Sequence, residues 1–245
     1  MSRVLITGST DGIGRATAVS LLDDGHEVVV HARTQQRLTA VEDLISRGAS
    51  SVVGDLALPE EVEQIAEQAN GIGAIDAVVH NAGIIDGPSL LPVNVVAPYV
   101  LTAAIQGPGR LIYLSSSMHR GGHTDLTGAD WSGSRKTVSY SDSKLFVTAL
   151  MAAVARFRPE SISHAVDPGW VPTKMGGTGA TDDLALSHVT QSWLATTDDS
   201  RAFDSGKYWH HQRTAVPHRA VHDEQFQTDL LAALAQHTRI QLSSN

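Results

Sequence analysis

Tyr140 and Lys144 are two residues that could transfer a proton together, because they stand four positions apart in the sequence. Residues at this spacing lie on one face of a helix, so the lysine ammonium can approach the tyrosine phenol. A free tyrosine has a pKa of about 10, which is too high for acid–base catalysis at neutral pH. A nearby positive charge stabilises the phenolate, and we therefore expect Lys144 to lower the pKa of Tyr140. A solvated surface pair would have the same spacing, so the neighbouring elements must distinguish the two interpretations.

A predicted strand that ends in hydroxyl groups supports the catalytic interpretation. The apolar run Leu111-Ile112-Tyr113-Leu114 is followed by Ser115, Ser116 and Ser117. Because side chains alternate between the two faces of a strand, Ser116 points away from both of its neighbours. The end of this strand therefore brings hydroxyl groups to the edge of the sheet where the Tyr-x3-Lys pair is expected.

A glycine-rich segment joins the first predicted strand to the first predicted helix, in the order Thr7-Gly8-Ser9-Thr10-Asp11-Gly12-Ile13-Gly14. Glycine lets the backbone turn tightly and approach a pyrophosphate, while the helix N-terminus offers N–H groups and partial positive charge. The spacing differs from the commoner Gly-x-Gly-x-x-Gly fingerprint, and glycines at such a corner can serve the turn alone. Their position at the first strand–helix turn favours a dinucleotide site. Its candidate residues are Gly8, Ser9, Thr10, Gly12, Ile13 and Gly14.

The end of the second predicted strand favours NADP(H) over NAD(H) as the cofactor. An enzyme that selects NAD places Asp or Glu there, to accept hydrogen bonds from the ribose hydroxyls. This sequence instead has Ala32 followed by Arg33, and a guanidinium can pair with the 2′-phosphate of NADP. Arg37, one helical turn further on, could assist. The alternative is that Arg33 is a solvated residue at the start of the second helix.

Short apolar runs alternate with longer amphipathic segments along most of the chain. The predicted strands are Val4–Thr7, Glu27–Ala32, Ser51–Gly54, Ala74–His80, Arg110–Ser115, Ser161–Val166 and Gly206–His211. The predicted helices are Gly12–Asp23, Gln35–Ser46, Pro59–Gln68, Pro92–Ile105, Tyr140–Arg156, Asp182–Leu194 and Glu224–His237. This alternation implies right-handed crossovers between strands that are covered on both faces. The sequence therefore predicts an α/β fold, a Rossmann-type doubly wound parallel sheet of seven strands with helices on both faces, in a single domain spanning 1–245.

Three further motifs follow predicted strands in order along the chain. They are Gly54-Asp55-Leu56, Asn81-Ala82-Gly83 and Pro168-Gly169-Trp170-Val171-Pro172-Thr173. Together with the glycine segment, Ser116 and the Tyr-x3-Lys pair, they resemble the short-chain dehydrogenase/reductase family from Arg3 to about Met175. The pattern Ser115-Ser116-x-x-His119 is similar to the retinol dehydrogenase-like branch of that family, but without a hydrophobic anchor, so we expect a soluble relative.

The resemblance implies hydride transfer between the nicotinamide and a carbonyl compound or a primary or secondary alcohol. Tyr140 would exchange a proton with the substrate oxygen, Ser116 would hydrogen-bond that oxygen, and Lys144 would lower the tyrosine pKa and bind the nicotinamide ribose. Asn94 would hold a water that joins Lys144 to solvent. The cofactor-binding residues that the motifs imply are Asp55, Leu56, Asn81, Ala82, Gly83, Tyr140, Lys144, Pro168, Gly169, Val171 and Thr173. The segment Met175–Ala195 would be a substrate-covering lid or a helix that buttresses the sheet.

The resemblance also implies a homodimer or a homotetramer. The family's usual contact is a four-helix arrangement, which here would use the predicted helices Pro92–Ile105 and Tyr140–Arg156. The apolar surface expected for this contact consists of Val147, Leu150, Met151 and Val154.

The composition excludes several classes of function. Lys+Arg is 18 against Asp+Glu 26, a formal charge of −8, and such an acidic chain is not expected to bind nucleic acid. The sequence contains no cysteine, which excludes disulfides and thiolate metal sites. His210 and His211 are adjacent on a predicted strand and would point to opposite faces, so we expect no metal site. No stretch approaches the ~20 apolar residues of a membrane span, and we expect a cytoplasmic protein with a small-molecule substrate.

Two other functions compete with an oxidoreductase. A dinucleotide-binding redox sensor without catalysis usually lacks the tyrosine or the lysine, and both are present here. A sugar-nucleotide epimerase or dehydratase needs a larger C-terminal substrate domain, and only about 70 residues follow Met175.

Overall fold

A computed structural model describes residues 1–242 of the chain. The last three residues of the predicted domain 1–245 lie outside the described residues. The chain folds around an eight-stranded sheet with the strand order β3-β2-β1-β4-β5-β6-β7-β8. The strands are β1 (Arg3–Ile6), β2 (Glu27–Ala32), β3 (Ser50–Val53), β4 (Ala77–His80), β5 (Arg110–Leu114), β6 (Ile162–Asp167), β7 (Lys207–His210) and β8 (Arg213–Ala215).

The first seven strands run parallel, which confirms the predicted doubly wound α/β fold. The sheet has eight strands rather than the predicted seven, because β8 adds an antiparallel strand at one edge. β8 has only three residues and none of them is buried, so its sequence lacks the apolar run typical of a covered strand. His211 and Gln212 form the tight turn before it, with φ angles of 47° and 56°.

The same turn corrects the expectation for His210 and His211. His211 leaves the strand with a positive φ, so the two imidazole rings do not point to opposite faces, and their centroids lie 3.9 Å apart. In residues 1–242 these histidines do not belong to any group of three or more candidate ligands that could hold a metal ion.

The helices cover both faces of the sheet. They are α1 (Gly12–Asp23), α2 (Glu42–Ser46), α3 (Pro59–Ile72), α4 (Ala97–Ala104), α5 (Tyr140–Phe157), α6 (Val189–Thr196) and α7 (Glu224–Thr238). Alternate residues of β1 show why two layers form: Val4 and Ile6 pack into the core with α1, α2 and α6, while Leu5 packs into the core with α3, α4, α5 and α7. No helix in the described part of the chain is long and apolar enough to cross a membrane.

Three predicted helices are shorter or less regular than expected. Gln35–Val41 is a 3-10 segment before α2, and Pro92–Val96 is a π-helical turn before α4. The predicted helix Asp182–Leu194 begins only at Val189. Asp183 accepts a hydrogen bond from the Ala185 N–H, 2.8 Å long, and this local turn competes with a helix there.

The C-terminal helix α7 covers the outer face of α5. Val147, Leu150, Met151 and Val154, expected as an apolar contact surface, are each at most 2% exposed within the single chain. Phe226 of α7 packs on the α5 side of this layer, in the same core. The predicted surface is therefore wrong, because these side chains are already buried within the single chain.

The packing of α7 can be tested with two substitutions on that helix. Leu234 is fully buried, and Leu234→Ala should lower the free energy of unfolding by about 2–5 kcal/mol, since it leaves a cavity. Gln236 is exposed, and Gln236→Ala should change that free energy by less than about 0.5 kcal/mol. Urea unfolding followed by circular dichroism measures both. Equal effects of the two changes would contradict the packing of α7 into the core.

Candidate active site

The glycine-rich turn lies at the carboxyl edge of the sheet, between β1 and β4. Gly8 has a φ of +64° and a Cβ on Gly14 would stand 2.4 Å from Asn81 Nδ2, so both positions require glycine. The Asn81 amide donates to the Thr7 carbonyl oxygen at 2.8 Å, and the Ala82 N–H donates to Thr7 Oγ1 at 3.0 Å. The predicted Asn81-Ala82-Gly83 segment therefore holds the turn from the neighbouring strand.

The first turn of α1 has the chemistry of a phosphate site. Asp11 precedes the helix, but no described side chain caps its N-terminal N–H groups. These groups and the helix dipole would favour a bound phosphate. The residues present therefore fit the pyrophosphate of a dinucleotide.

His31, which the sequence analysis did not select, fastens the glycine turn to β2 and β3. Its Nδ1 accepts a hydrogen bond from the Gly8 N–H and its Nε2 donates to the Gly54 carbonyl oxygen, each 2.9 Å long. Burial lowers the pKa of His31, which keeps the ring neutral and its Nδ1 able to accept. Ser9 serves the same link, because its Oγ accepts from the His31 N–H at 2.8 Å. The Ser9 hydroxyl is thus engaged with β2, away from the expected cofactor.

The two candidate residues for the NADP 2′-phosphate follow β2. Arg33 is exposed and borders the cleft beside the glycine turn. Arg37 borders the same cleft and donates a hydrogen bond from its guanidinium to Thr10 Oγ1 at 3.0 Å. Because the Arg37 guanidinium is hydrogen-bonded to the turn, its N–H groups are held at this end of the cleft.

Tyr140 and Lys144 lie together at the start of α5, as their spacing predicted. A capping box of Ser139 and Asp142 begins this helix and so fixes the position of Tyr140. Lys144 Nζ lies 5.6 Å from the centre of the Tyr140 ring and donates to the Leu114 carbonyl oxygen at 2.7 Å. Both residues are held at the end of β5.

The pKa values differ from the sequence expectation. Burial raises the pKa of Tyr140 to about 12, against a smaller lowering by the Ser116 side chain. The expected lowering by Lys144 is therefore wrong for the chain without a ligand: its ammonium is directed at the Leu114 carbonyl, and desolvation of the phenolate dominates. Burial also lowers the pKa of Lys144 to about 8.

The serines after β5 point in opposite directions. Ser115 is buried and its Oγ shares a 2.6 Å hydrogen bond with Thr148 Oγ1 on α5. Ser116 instead interacts with the Tyr140 side chain, and its Oγ accepts from the Met118 N–H at 3.2 Å. This alternation agrees with the choice of Ser116 from the sequence.

Two further residues that the sequence analysis did not assign to the site support Ser116. The His119 Nε2 accepts from the His218 N–H at 3.0 Å, so its Nδ1 carries the proton and donates to the Ser116 carbonyl oxygen at 2.6 Å. Tyr208 packs against the His119 ring and donates to Asp167 Oδ2 at 3.0 Å. His119 stands in the sequence pattern Ser115-Ser116-x-x-His119, but the sequence does not reveal its partners, which come from segments about a hundred residues away.

Asn94 lies in the π-helical turn Pro92–Val96, a type of irregularity that often marks functional sites. Its side-chain oxygen accepts from the Ile84 N–H and its amide donates to the Ile84 carbonyl oxygen, both at 2.9 Å. The amide also donates to Ser143 Oγ at 3.0 Å. Asn94 therefore links the segment after β4 to α5. Its role in holding a water stays a prediction.

The segment after β6 turns sharply at Gly169, where φ is +86° and a Cβ would stand 2.5 Å from Asp182 Oδ2. Asp182 accepts from the Trp170 N–H at 2.6 Å, and Asp167 Oδ1 accepts from the Gly169 N–H at 3.0 Å. Val171 is buried. These two carboxylates shape the loop that brings Thr173 against the glycine turn.

One cleft of about 430 Å³ connects these parts. Most predicted site residues border it, namely Gly8, Thr10, Gly12, Ile13, Gly14, Arg33, Asp55, Leu56, Asn81, Ala82, Gly83, Tyr140, Lys144, Pro168 and Thr173. The remaining predicted residues are not among those that line it, namely Ser9, Asn94, Ser116, Gly169 and Val171. Gly83 lies next to Lys144 and Asn94, because a Cβ there would be in van der Waals contact, 3.5 Å from Lys144 Nζ and 3.4 Å from Asn94 Oδ1.

The predicted lid Met175–Ala195 has two parts with different surroundings. Met175 borders the cleft. In contrast, α6 packs against α1, β4 and β5, and its Gln191 is buried and donates to Thr17 Oγ1 at 3.2 Å. The helix is therefore a buttress of the sheet, and only the beginning of the segment faces the cleft.

Known proteins share this sequence and this architecture. The sequence model of the short chain dehydrogenase family matches residues 2–118. The chain is 37% identical to the short-chain dehydrogenase chyC of Penicillium rubens over 99% of both chains. A putative uncharacterized protein from Mycobacterium paratuberculosis has the same fold, with a TM-score of 0.81 at 21% identity, over 99% of this chain and 95% of that one.

A blue fluorescent protein from a metagenomic library, crystallised with NADPH, also has this fold. Its TM-score is 0.70 at 22% identity, over 85% of this chain and 95% of that one. The full-length similarity to chyC and the arrangement of the Tyr140–Lys144 pair beside a glycine-rich turn lead to one assignment. The chain belongs to the short-chain dehydrogenase/reductase family of NAD(P)-dependent oxidoreductases.

Proposed function

We propose that this chain, as a single domain spanning 1–245, is an NADP(H)-dependent oxidoreductase that reduces a small-molecule carbonyl compound to a primary or secondary alcohol. The observation that carries the proposal is the placement of Tyr140 and Lys144 on the wall of the cleft that the glycine turn also borders. When bound, the nicotinamide supplies the hydride. The remaining chemistry belongs to the side chains of this chain.

Tyr140 is the proton donor in this proposal. A pKa raised to about 12 keeps the phenol protonated at neutral pH, which suits a group that gives a proton to a developing alkoxide. Ser116, which interacts with the Tyr140 side chain, donates a hydrogen bond to the same substrate oxygen and stabilises its charge. A protonated Tyr140 is the form that carbonyl reduction requires before the proton is transferred.

Lys144 keeps a positive charge beside Tyr140 and borders the cleft next to Gly83. Its Nζ is buried, yet the Leu114 carbonyl occupies only one of its three N–H donors at 2.7 Å. The other donors suit the hydroxyls of a ribose, and in this proposal Asn94 would hold a water that joins the lysine to solvent.

NADP(H) is proposed over NAD(H) because both arginines at the end of β2 border the cleft. Arg33 and Arg37 offer charge-assisted hydrogen bonds, which are worth roughly 1.5–3 kcal/mol each. Asp55 lies further along the same cleft, and its backbone N–H is fixed by Glu61 at 2.6 Å. The blue fluorescent protein of the same fold was crystallised with NADPH, which agrees with this choice.

A dinucleotide-binding redox sensor without catalysis is the second candidate function. The two proposals differ in whether Tyr140 and Lys144 have a task, and turnover separates them. A sensor binds NADPH but does not oxidise it against any member of a panel of aldehydes and ketones. Steady loss of NADPH absorbance with at least one carbonyl compound would exclude the sensor.

The homodimer or homotetramer and the cytoplasmic location stay proposals. Assembly must use a face other than the one first expected, because Leu150 and Met151 are buried within the single chain. Light scattering at micromolar concentration measures the assembly, and a monomeric mass would contradict it.

Replacing the phenol tests the assignment of the proton donor. Tyr140→Phe should lower kcat by about a hundredfold or more, since it removes the transferred proton, while the Kd for NADPH stays almost unchanged. Stopped-flow or steady-state absorbance measures the first quantity and fluorescence titration the second. A variant that keeps more than about a tenth of wild-type kcat would contradict the role of Tyr140.

The pKa of Lys144 predicts a pH profile for reduction. Its ammonium is charged below about pH 8 and loses its proton as the pH rises through that value. The value of kcat/KM for carbonyl reduction should therefore hold through neutral pH and decline on the alkaline side of pH 8. The Kd for NADPH, measured at each pH, serves as the control for binding. A profile that stays level well beyond pH 8 would exclude a catalytic need for the Lys144 charge.

Cofactor preference depends on Arg33. Arg33→Ala should raise the Kd for NADPH by about tenfold or more and leave the Kd for NADH unchanged, because only NADPH carries the 2′-phosphate. The matched control is Arg47→Ala, which removes an exposed arginine paired with Asp23 at 2.6 Å. Tighter binding of NADH than of NADPH by the unaltered chain would contradict the proposed preference.

A further inference from the structure

The charges that border the cleft differ from those of the whole chain. The chain has a formal charge of −8. The Lys, Arg, Asp and Glu residues around the cleft are, however, four cations and two carboxylates: Arg33, Arg37, Lys144, Lys174, Asp11 and Asp55. Arg33 and Arg37 follow β2 and Lys144 stands beside Tyr140. Lys174 is the remaining cation, and neither the motifs nor the proposed mechanism uses it.

Lys174 reaches across the cleft from the loop after β6. Its Nζ forms an ion pair with Asp11, the residue that precedes α1. The adjacent residue, Thr173, also touches the glycine turn, because its Cγ2 would lie 3.2 Å from a Cβ on Gly12. The two residues together bring one loop against the place where the helix N–H groups are left for a phosphate.

Asp11 is an unusual neighbour for a phosphate. Its carboxylate does not cap α1, although Asp is a favoured residue at that position. It pairs with Lys174 instead, and this contact is the largest cause of its lowered pKa, with a smaller contribution from Arg37. A dianionic pyrophosphate at α1 would compete with Asp11 for the same ammonium.

We propose that Lys174 is a ligand of the cofactor pyrophosphate and that Asp11 holds its ammonium in place when the cofactor is absent. The inference rests on the proposed function, since it needs a bound dinucleotide. The Lys174 side chain is 82% exposed, so it can turn from Asp11 to a phosphate without crossing packed residues. On binding, the lysine exchanges a carboxylate partner for a phosphate partner, and the loop that begins at Pro168 closes on the cofactor.

The proposal assigns Lys174 to the pyrophosphate rather than to the 2′-phosphate. Thr173 contacts Gly12 at the start of α1, and that helix start is where a pyrophosphate binds in this kind of turn. Arg33 and Arg37 lie at the end of β2, where the 2′-phosphate is expected. The two assignments differ in a measurable way, because NADH has the pyrophosphate and lacks the 2′-phosphate.

Fluorescence titration with NADPH and with NADH tests the assignment on the full chain. Lys174→Met should raise both Kd values by about the same factor, of about tenfold, because both cofactors carry the pyrophosphate. The matched control is Lys207→Met, which removes a lysine from an ion pair with Asp204 outside the cleft; it should alter neither Kd. Circular dichroism of each variant checks folding.

A second variant distinguishes a pyrophosphate ligand from a lysine whose ion pair with Asp11 only holds the loop in place. Asp11→Asn removes the competing carboxylate and should lower both Kd values, by about threefold to tenfold. In the Lys174→Met background the same change should have a smaller effect, because there is no ammonium to release. If the ion pair only fastened the loop, both single variants would raise Kd together, and that result would overturn the proposal.

The remaining outcomes are equally decisive. Weaker binding of NADPH alone in Lys174→Met would overturn the assignment to the pyrophosphate, and unchanged binding of both cofactors would overturn any role as a ligand. If the unaltered chain bound neither NADPH nor NADH, the proposed function itself would fail. The two failures can be told apart. In the first, the unaltered chain binds no cofactor; in the second, it binds the cofactors and Lys174→Met binds them equally well.

Discussion

The hydrogen bond from Lys144 Nζ to the Leu114 carbonyl oxygen, 2.7 Å long, is the contact on which the catalytic arrangement depends. It joins α5 to the last residue of β5, and Ser116 lies just beyond that residue. A buried ammonium is costly unless it is hydrogen-bonded, so this bond restricts how α5 can sit against the sheet. The hydroxyls of Ser115 and Thr148 add a second link at 2.6 Å between the same two elements. Tyr140 and Ser116 are thereby placed side by side.

The low polarity around this contact also sets the charges of the site. Burial raises the pKa of Tyr140 to about 12 and lowers that of Lys144 to about 8. The Asp167 carboxylate opposes part of the effect on Lys144 and adds to the effect on Tyr140, since a nearby negative charge favours the protonated form of both. The chain without a ligand thus has both groups protonated at neutral pH. The proposed reduction of a carbonyl compound begins from this state.

The sequence predicted the parts of the structure that depend on local pattern. Short, mostly apolar runs that alternate with amphipathic segments identified all seven parallel strands, and the glycine spacing identified the turn at Gly8–Gly14. Alternation along β5 predicted that Ser115 and Ser116 point in opposite directions, and the hydrogen bond from Ser115 to Thr148 agrees with that. The Tyr-x3-Lys spacing likewise placed two side chains on one helix face.

The features that the sequence did not predict depend on contacts between distant segments. His31 and His119 each make hydrogen bonds to partners in other elements, such as Gly8 and His218, and a single histidine in a sequence does not reveal them. The expected lowering of the Tyr140 pKa failed because spacing shows the approach of a lysine but not the burial of the phenol. The expected apolar contact surface on α5 failed for the same reason, since only the fold shows that these side chains are buried within the single chain.

The central claim is that hydride passes from a nicotinamide held in this cleft to a carbonyl carbon while Tyr140 protonates the oxygen. The most direct measurement uses NADPH deuterated at both C4 positions with a carbonyl substrate found by screening, followed by mass spectrometry of the product alcohol. The account predicts that deuterium is bonded to the carbinol carbon of the product. An alcohol without deuterium, formed while the labelled NADPH is consumed, would contradict it.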